Sequence, residues 1–232
     1  MNKRLVNKIS DRILSEISGW EGRKDLYSLI LYGSVIRCDY IPKVSDIDFF
    51  AVVYNEGIVS ELKEIVTRAC RHIDVCEVDL AWEYLENLED PLFMGYPYKF
   101  LTVYQEDFRR HHLVIYGEDI INMLPRYRWN RIIRWRCGHL LNLAQYYLEK
   151  GDNRMLHIVA GETARLIVWI ERRTLNKRHI VATLERMGDK EALQIYQAYL
   201  KGREQPYSNQ HLYKFIKSRV EKMMETVPWG QI

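Results

Sequence analysis

Residues 26–53 confine this chain to a narrow set of folds. An apolar run from Leu26 to Leu31, rich in Leu, Ile and Tyr, has the length of a buried strand. Gly33-Ser34 interrupts it, a loop follows, and Ser45-Asp46-Ile47-Asp48 leads into a second apolar run from Phe49 to Val53. Successive strand side chains point to opposite faces, so Asp46 and Asp48 are expected on the same face. Two carboxylates side by side repel each other unless a cation lies between them. An all-oxygen site of this kind suits Mg²⁺, which takes one or two carboxylates together with substrate phosphates. The Gly-Ser step supplies the complementary half. Glycine lets the backbone approach a bulky anion, and the serine hydroxyl and nearby N–H groups can bond a phosphate oxygen. The plainer alternative is that both aspartates cap a turn and bond local backbone.

Strand, Gly-Ser, spacer, Asp-x-Asp and strand, in that order, resemble the signature of the nucleotidyltransferase superfamily related to DNA polymerase beta. The wording YGS…SDIDFFAVV looks most like its minimal and antibiotic-modifying branches. That resemblance implies a small mixed sheet flanked by helices, with ATP as donor and AMP as the group moved to a hydroxyl while pyrophosphate leaves. It also implies that Asp46 and Asp48 hold Mg²⁺ and that Gly33, Ser34 and Ser45 hold the nucleotide. A third strand should bring a third carboxylate that completes the metal site and helps deprotonate the acceptor. Ile73 extends the apolar stripe of the helix expected over 58–73, which pushes this strand to about 76–82 and favours Asp79. A helix ending at Cys70 would favour Asp74 instead, and Glu77 is a third choice. One departure stands out: many relatives have a second glycine shortly after Gly-Ser, where this chain has Cys38-Asp39. It changes the loop's expected path and lends support to a nucleotide-binding module without catalysis.

Composition narrows the partners. A net charge of +3 on 232 residues demands neither a nucleic acid nor a membrane surface, although nucleic acid stays possible. Cys38, Cys70, Cys76 and Cys137 form no C-x-x-C pair, so neither a zinc site nor a disulfide framework is expected. Met1–Lys8 is polar and unlike a signal peptide, and no apolar run reaches the ~20 residues a bilayer needs. A reduced, cytoplasmic protein is the expectation.

Elsewhere in the first half, residues 3–18 space Leu5, Val6, Ile9, Ile13, Leu14 and Ile17 as an amphipathic helix. Tyr98–Arg110 reads as helix and Leu113–Tyr116 as a short strand ended by Gly117. His111 and His112 read as a solvated pair at the strand start, facing opposite ways. The run HHLVIYGEDI resembles the segment that closes the N-terminal domain of the aminoglycoside-adenylylating branch. Residues 1–121 are therefore taken as the nucleotidyltransferase domain, with the linker at Asn122–Arg126.

Beyond it, residues 122–232 lose the strand pattern. Turn signals at Gly151-Asp152-Asn153, 175–177, Gly188-Asp189 and 202–208 divide five helical segments, at about 127–150, 154–173, 179–187, 190–201 and 208–225. Short connections imply antiparallel neighbours, hence an all-α bundle, and the resemblance implies that it binds acceptor or partner. The fold class is α+β in two parts.

Three features of this half bear on the acceptor. RYRWNRIIRWR (126–136) reads first as an amphipathic helix burying Trp129, Ile132 and Ile133, and second as a phosphate- or base-binding helix. Arg134 and His139 form an Arg-x4-His pair similar to that of the helical ribonuclease-like toxin family, with Trp135 where that family has a small polar residue. Glu162 and Arg165, three apart, are expected to pair on the surface, and Glu162 is a candidate to hold a cationic acceptor. The acceptor expected first is a small hydroxylated molecule such as an aminoglycoside. A toxin hydroxyl or an RNA end is second.

Overall fold

A computed structural model describes residues 3–73, 77–90, 98–202 and 206–227, and the chain divides into two compact units, Met1–Arg126 and Tyr127–Ile232. The first unit has helix α1 (Lys3–Ser18), strand β1 (Leu26–Tyr32), the single turn α2 (Ser34–Arg37) and strand β2 (Ile47–Val53). Helix α3 (Val59–Cys70), strand β3 (Val78–Tyr84), helix α4 (Gln105–Arg110) and strand β4 (His112–Gly117) complete it. The strands form one mixed sheet in the order β3-β2-β1-β4, in which β2 and β3 run parallel and the other pairs antiparallel. The expected α+β class is the observed one.

Both faces of this sheet are covered, and that explains why β1 and β2 read as continuous apolar runs rather than alternating ones. Leu29, Leu31, Phe49, Ala51 and Val53 belong to a core with Val6, Ile9, Ile13 and Ile17 of α1 and Leu62, Ile65 and Val66 of α3. Ile30, Phe50 and Val52, on the opposite face, pack with Leu88, Phe100, Leu101, Phe108, Ile120 and Leu124. Tyr32 and Asp48 are the next residues along this second face, where the apolar layer gives way to polar groups.

Some local expectations are corrected. The helix expected over 98–110 is confined to Gln105–Arg110; residues 98–104 make turns, with the Tyr104 N–H donating to the Lys99 carbonyl at 2.8 Å. This turn lets Tyr98 and Phe100 both reach the sheet, with ring centroids 5.8 and 5.1 Å from Phe50. Only one of His111 and His112 is solvated as expected, the His111 side chain being 40% exposed. His112 begins β4, stacks on Phe108 at 5.8 Å and is 15% exposed, while His111 meets Asp107 at 3.1 Å.

The second unit contains α5 (Trp129–Lys150), α6 (Asn153–Arg172), α7 (Lys177–Met187), α8 (Lys190–Lys201) and α9 (Asn209–Thr226). Side chains of Asp152, Asn176, Asp189 and Ser208 accept first-turn N–H groups, and Gly151, Gly188 and Gly202 close helices in the left-handed region. Ile132 and Ile133 are buried as expected, but Trp129 is 42% exposed. It is the first residue of α5, and its ring lies under the Arg173 guanidinium at 4.4 Å rather than in the core. No described helix is long and apolar enough to cross a membrane.

Candidate active site

Register decides which side chains meet. Parallel pairing sets Asp48 opposite Asp79, and antiparallel pairing sets Asp48 opposite Tyr32 and Tyr32 opposite His112. Directly paired residues point to the same face, so Asp79, Asp48, Tyr32 and His112 form one row across all four strands. Asp46 lies just ahead of β2 and is exposed, as is Asp79, whereas Asp48 is partly buried. Asp74 falls outside the described residues. Glu77 is exposed and precedes β3, its carbonyl accepting the Ile47 N–H at 2.9 Å.

Burial is the main reason that the Asp48 carboxyl is pushed up from 3.8 to about 6. Lys99 and Arg37 oppose this, and the negative charges of Asp46 and Asp79 add to it. Burial also lifts the Tyr32 hydroxyl well above its ordinary range, with further contributions from Asp48 and Asp79. Crowded carboxylates of this kind are relieved by a cation. Among the described residues no three acidic, histidine or cysteine side chains converge to hold a metal by themselves. The donor chemistry instead matches Mg²⁺, for which a carboxylate pair plus phosphate oxygens suffices.

Gly33 and Ser34 stand against this row. Gly33 has φ 80° and ψ −147°, and a Cβ built there would overlap the Asp48 carboxylate, so only glycine fits. Ser34 is 5% exposed, and its hydroxyl has no protein partner among the described residues. A buried hydroxyl without a partner is costly unless a ligand or water supplies one. Ser45 serves the loop: its hydroxyl accepts the Ile41 N–H at 2.9 Å while its own N–H donates to the Ile41 carbonyl at 2.8 Å.

The loop after Gly33-Ser34 turns without a second glycine. Cys38 occupies the left-handed region, φ 68° and ψ 28°, at the end of α2. The turn is braced by Arg37, which meets Asp107 at 2.8 Å and Asp39 at 3.4 Å, all three side chains at most 11% exposed. The Cys38 thiol itself is exposed and only reaches the Ile36 carbonyl at 3.5 Å. Cys38→Gly is therefore expected to stabilise the protein by about 0.5–1 kcal/mol, since a side chain in this region costs ~1–2 kcal/mol and glycine's extra unfolded-state freedom returns part of that. Urea unfolding midpoints measure it, and a lower midpoint would give the thiol a packing role.

Sequence reading did not single out Tyr32, Lys99, Arg37 or Asp107. Tyr32 needed only the strand register. The other three come from turns and a helix whose approach to the sheet leaves no periodic trace.

The features singled out in the helical unit are used internally. Arg134 donates to the Met224 and Val227 carbonyls at 3.1 and 2.7 Å, capping the end of α9, and His139 stacks on Trp135 at 5.5 Å. Glu162 is not on the surface. It is 5% exposed, with Arg165 at 2.7 Å on one oxygen and Arg136 at 3.4 Å on the other. Both oxygens are engaged, which argues against a role in holding a cationic acceptor.

No protein-family model matches the chain, and no curated protein matches it significantly. Among solved structures, the crystal structure of spectinomycin adenyltransferase AAD(9) from Enterococcus faecialis with ATP and spectinomycin shares its fold. The two chains are 17% identical and superpose with a TM-score of 0.60, over 96% of this chain and 99% of that one. The nucleotidyltransferase resemblance of the Gly-Ser and Asp-x-Asp stretch thus has a counterpart in the fold of nearly the whole chain.

Proposed function

We propose that this protein moves a nucleoside monophosphate, AMP from ATP, to a hydroxyl of a small acceptor such as an aminoglycoside. The reading is carried by the row in which Asp79 pairs with Asp48, with Gly33 packed against that carboxylate and the partnerless Ser34 hydroxyl next in sequence. The fold shared with an adenyltransferase crystallised with ATP supports it.

Asp46 and Asp48 are assigned to hold Mg²⁺, which when bound supplies positive charge for the phosphates and polarises the reacting phosphoryl group. Gly33 and Ser34 receive phosphate oxygens through backbone N–H and hydroxyl groups. Asp79 takes the acceptor's proton as its oxygen bonds the α-phosphorus, and the bond to the pyrophosphate oxygen breaks with its electron pair leaving on pyrophosphate. Acceptor selection is assigned to the helical unit.

Thermal stability with each nucleoside triphosphate, with and without Mg²⁺, tests the donor site. ATP at 100 times its dissociation constant should add about 2.7 kcal/mol, and only with Mg²⁺. Because cation binding needs an ionised carboxylate, the shift should fade as pH falls below about 6, where Asp48 takes a proton. Pyrophosphate release with a panel of aminoglycosides then tests the acceptor. No shift with any triphosphate would overturn the reading. Transfer to an RNA end is favoured by one observation, the half-exposed Trp129, its ring under Arg173, between exposed Arg128 and Arg131. Steeply salt-dependent RNA binding would support that second acceptor.

A further inference from the structure

Resting on the nucleotidyltransferase reading, we propose that Asp107 is a positioning residue for nucleotidyl transfer. Through Arg37 it holds the turn at 33–38 in the form that receives the donor's phosphates. That turn needs outside support. Helix α2 is a single turn, closed by the Arg37, Cys38 and Asp39 N–H groups, which donate to the Gly33 and Ser34 carbonyls. A helix this short does not hold itself in water. It also ends on Cys38 in the left-handed region, which side chains disfavour. Val35 anchors its first half in the core shared with α1 and α3. Its second half is anchored by the Arg37 side chain.

Asp107 is built to serve as that anchor. Its Oδ2 accepts from Arg37 Nη1 at 2.8 Å and its Oδ1 meets His111 Nδ1 at 3.1 Å, so both oxygens are engaged and the carboxylate is held in one orientation. Asp39, 3.4 Å from Arg37, belongs to the same loop, so of these two carboxylates Asp107 is the one that ties the loop to a separate element. Helix α4 is itself fixed. Phe108 is 2% exposed, and its ring lies 5.3 Å from Tyr32 of β1 and 6.4 Å from Phe50 of β2. Arg109 donates to the Ile121 and Leu124 carbonyls at 2.6 and 2.7 Å. Gly33 directly follows β1 and Asp48 lies on β2, so Asp107 refers the turn to the same frame as the carboxylate pair. In-line transfer needs that alignment, because a misplacement of ~1 Å can cost ~100-fold in rate. Stability alone is a weak reason for the pair, since apolar side chains of similar volume often serve a buried site as well.

The test compares wild type, Asp107→Asn and Asp107→Glu by amide hydrogen exchange and by titration calorimetry with Mg²⁺ and either α,β-methylene-ATP or AMP. Asparagine keeps the shape and removes the charge that holds Arg37. Exchange at residues 37–39 should quicken in Asp107→Asn while α1 and α3 stay protected. Affinity for α,β-methylene-ATP should fall about 10-fold, as for the loosening of one charge-assisted contact. AMP, which lacks the outer phosphates, should bind wild type and variant alike, a split that a purely structural role would not produce. Asp107→Glu keeps the charge but sets it one methylene further out, so it should show the same split at a few-fold, and it decides if Asp107→Asn does not fold. Equal α,β-methylene-ATP affinity in wild type and the deciding variant would overturn the assignment and leave the donor site intact. An equal loss for AMP, or faster exchange throughout α1 and α3, would overturn it in favour of a general effect on the fold. A wild-type protein that binds neither compound would overturn the donor site itself, and Asp107's role with it.

Discussion

Asp48→Asn is expected to remove metal-dependent nucleotide transfer and, at neutral pH, to make the unliganded protein more stable. The carboxyl titrates near 6 in the folded chain against an ordinary 3.8, chiefly because it is buried and secondarily because Asp46 and Asp79 are near. Between those two values the folded protein keeps a proton that the unfolded chain has lost. Stability from this group is therefore complete below about pH 4 and falls as pH rises through 6. At 1.36 kcal/mol per pKa unit, the ionised carboxylate costs up to about 3 kcal/mol at pH 7. Asparagine is neutral throughout and nearly the same shape, so it should still pack against Gly33. The variant should match wild type at pH 4 and exceed it by about 1–3 kcal/mol at pH 7. Pyrophosphate release should fall by ~100-fold or more, since even residues behind a metal's direct ligands contribute 10- to 100-fold. Thermal melts across pH 4–8, read beside turnover, separate the two effects. Full activity in this variant would sink the proposed site, whereas lost activity without the pH-dependent gain would mean that Asp48 is better hydrated than its burial indicates.

The second large effect lies in the helical unit, where Glu162→Ala should cost about 3–5 kcal/mol. Glu162 is the acidic member of a buried triad with Arg136 and Arg165, all with side chains at most 12% exposed. Arg165 also donates to the Tyr199 hydroxyl at 3.0 Å and lies over its ring, so it has support of its own. Arg136 has less, meeting Glu162 only at 3.4 Å. Removing the carboxylate leaves two guanidinium groups in a low-dielectric interior, where an uncompensated charge is far costlier than a lost contact. Glu162→Ala combined with Arg136→Met should recover part of the loss by removing the more stranded charge. Urea unfolding of the full chain followed by tryptophan fluorescence tests both. A loss below about 1 kcal/mol would show that the arginines reach water after relaxing.

These two side chains mark the boundary of what local sequence conveys. The helices of the second unit are legible because each end is written within a few residues. Gly151-Asp152 and Gly188-Asp189 pair a left-handed stop with a cap for the next helix, and Asn176 and Ser208 cap in the same way. Strands β1 and β2 are legible from their unbroken apolar runs, which only burial on both faces explains. The Gly-Ser step and Asp48 are legible as a motif because both lie within one hairpin, Tyr32 to Asp48, whose pairing is local.

Other features depend on pairings between distant segments. The sequence left Asp79, Asp74 and Glu77 in competition, and only the parallel register of β2 with β3 sets Asp79 beside Asp48. Glu162 reads as half of a surface pair by spacing alone, yet it is buried, and Arg136 reaches it from another helix. Lys99 and the Arg37–Asp107 brace carry no periodic signal, because turns and a short helix deliver them to the sheet. Helix caps, strand runs and hairpin motifs are settled by neighbours in the chain, so the sequence by itself determined the α+β class and the Gly-Ser and Asp-x-Asp half of the candidate site. Cross-strand register, burial of charge and the approach of distant loops are settled by packing across the whole core, and those only the tertiary structure decided.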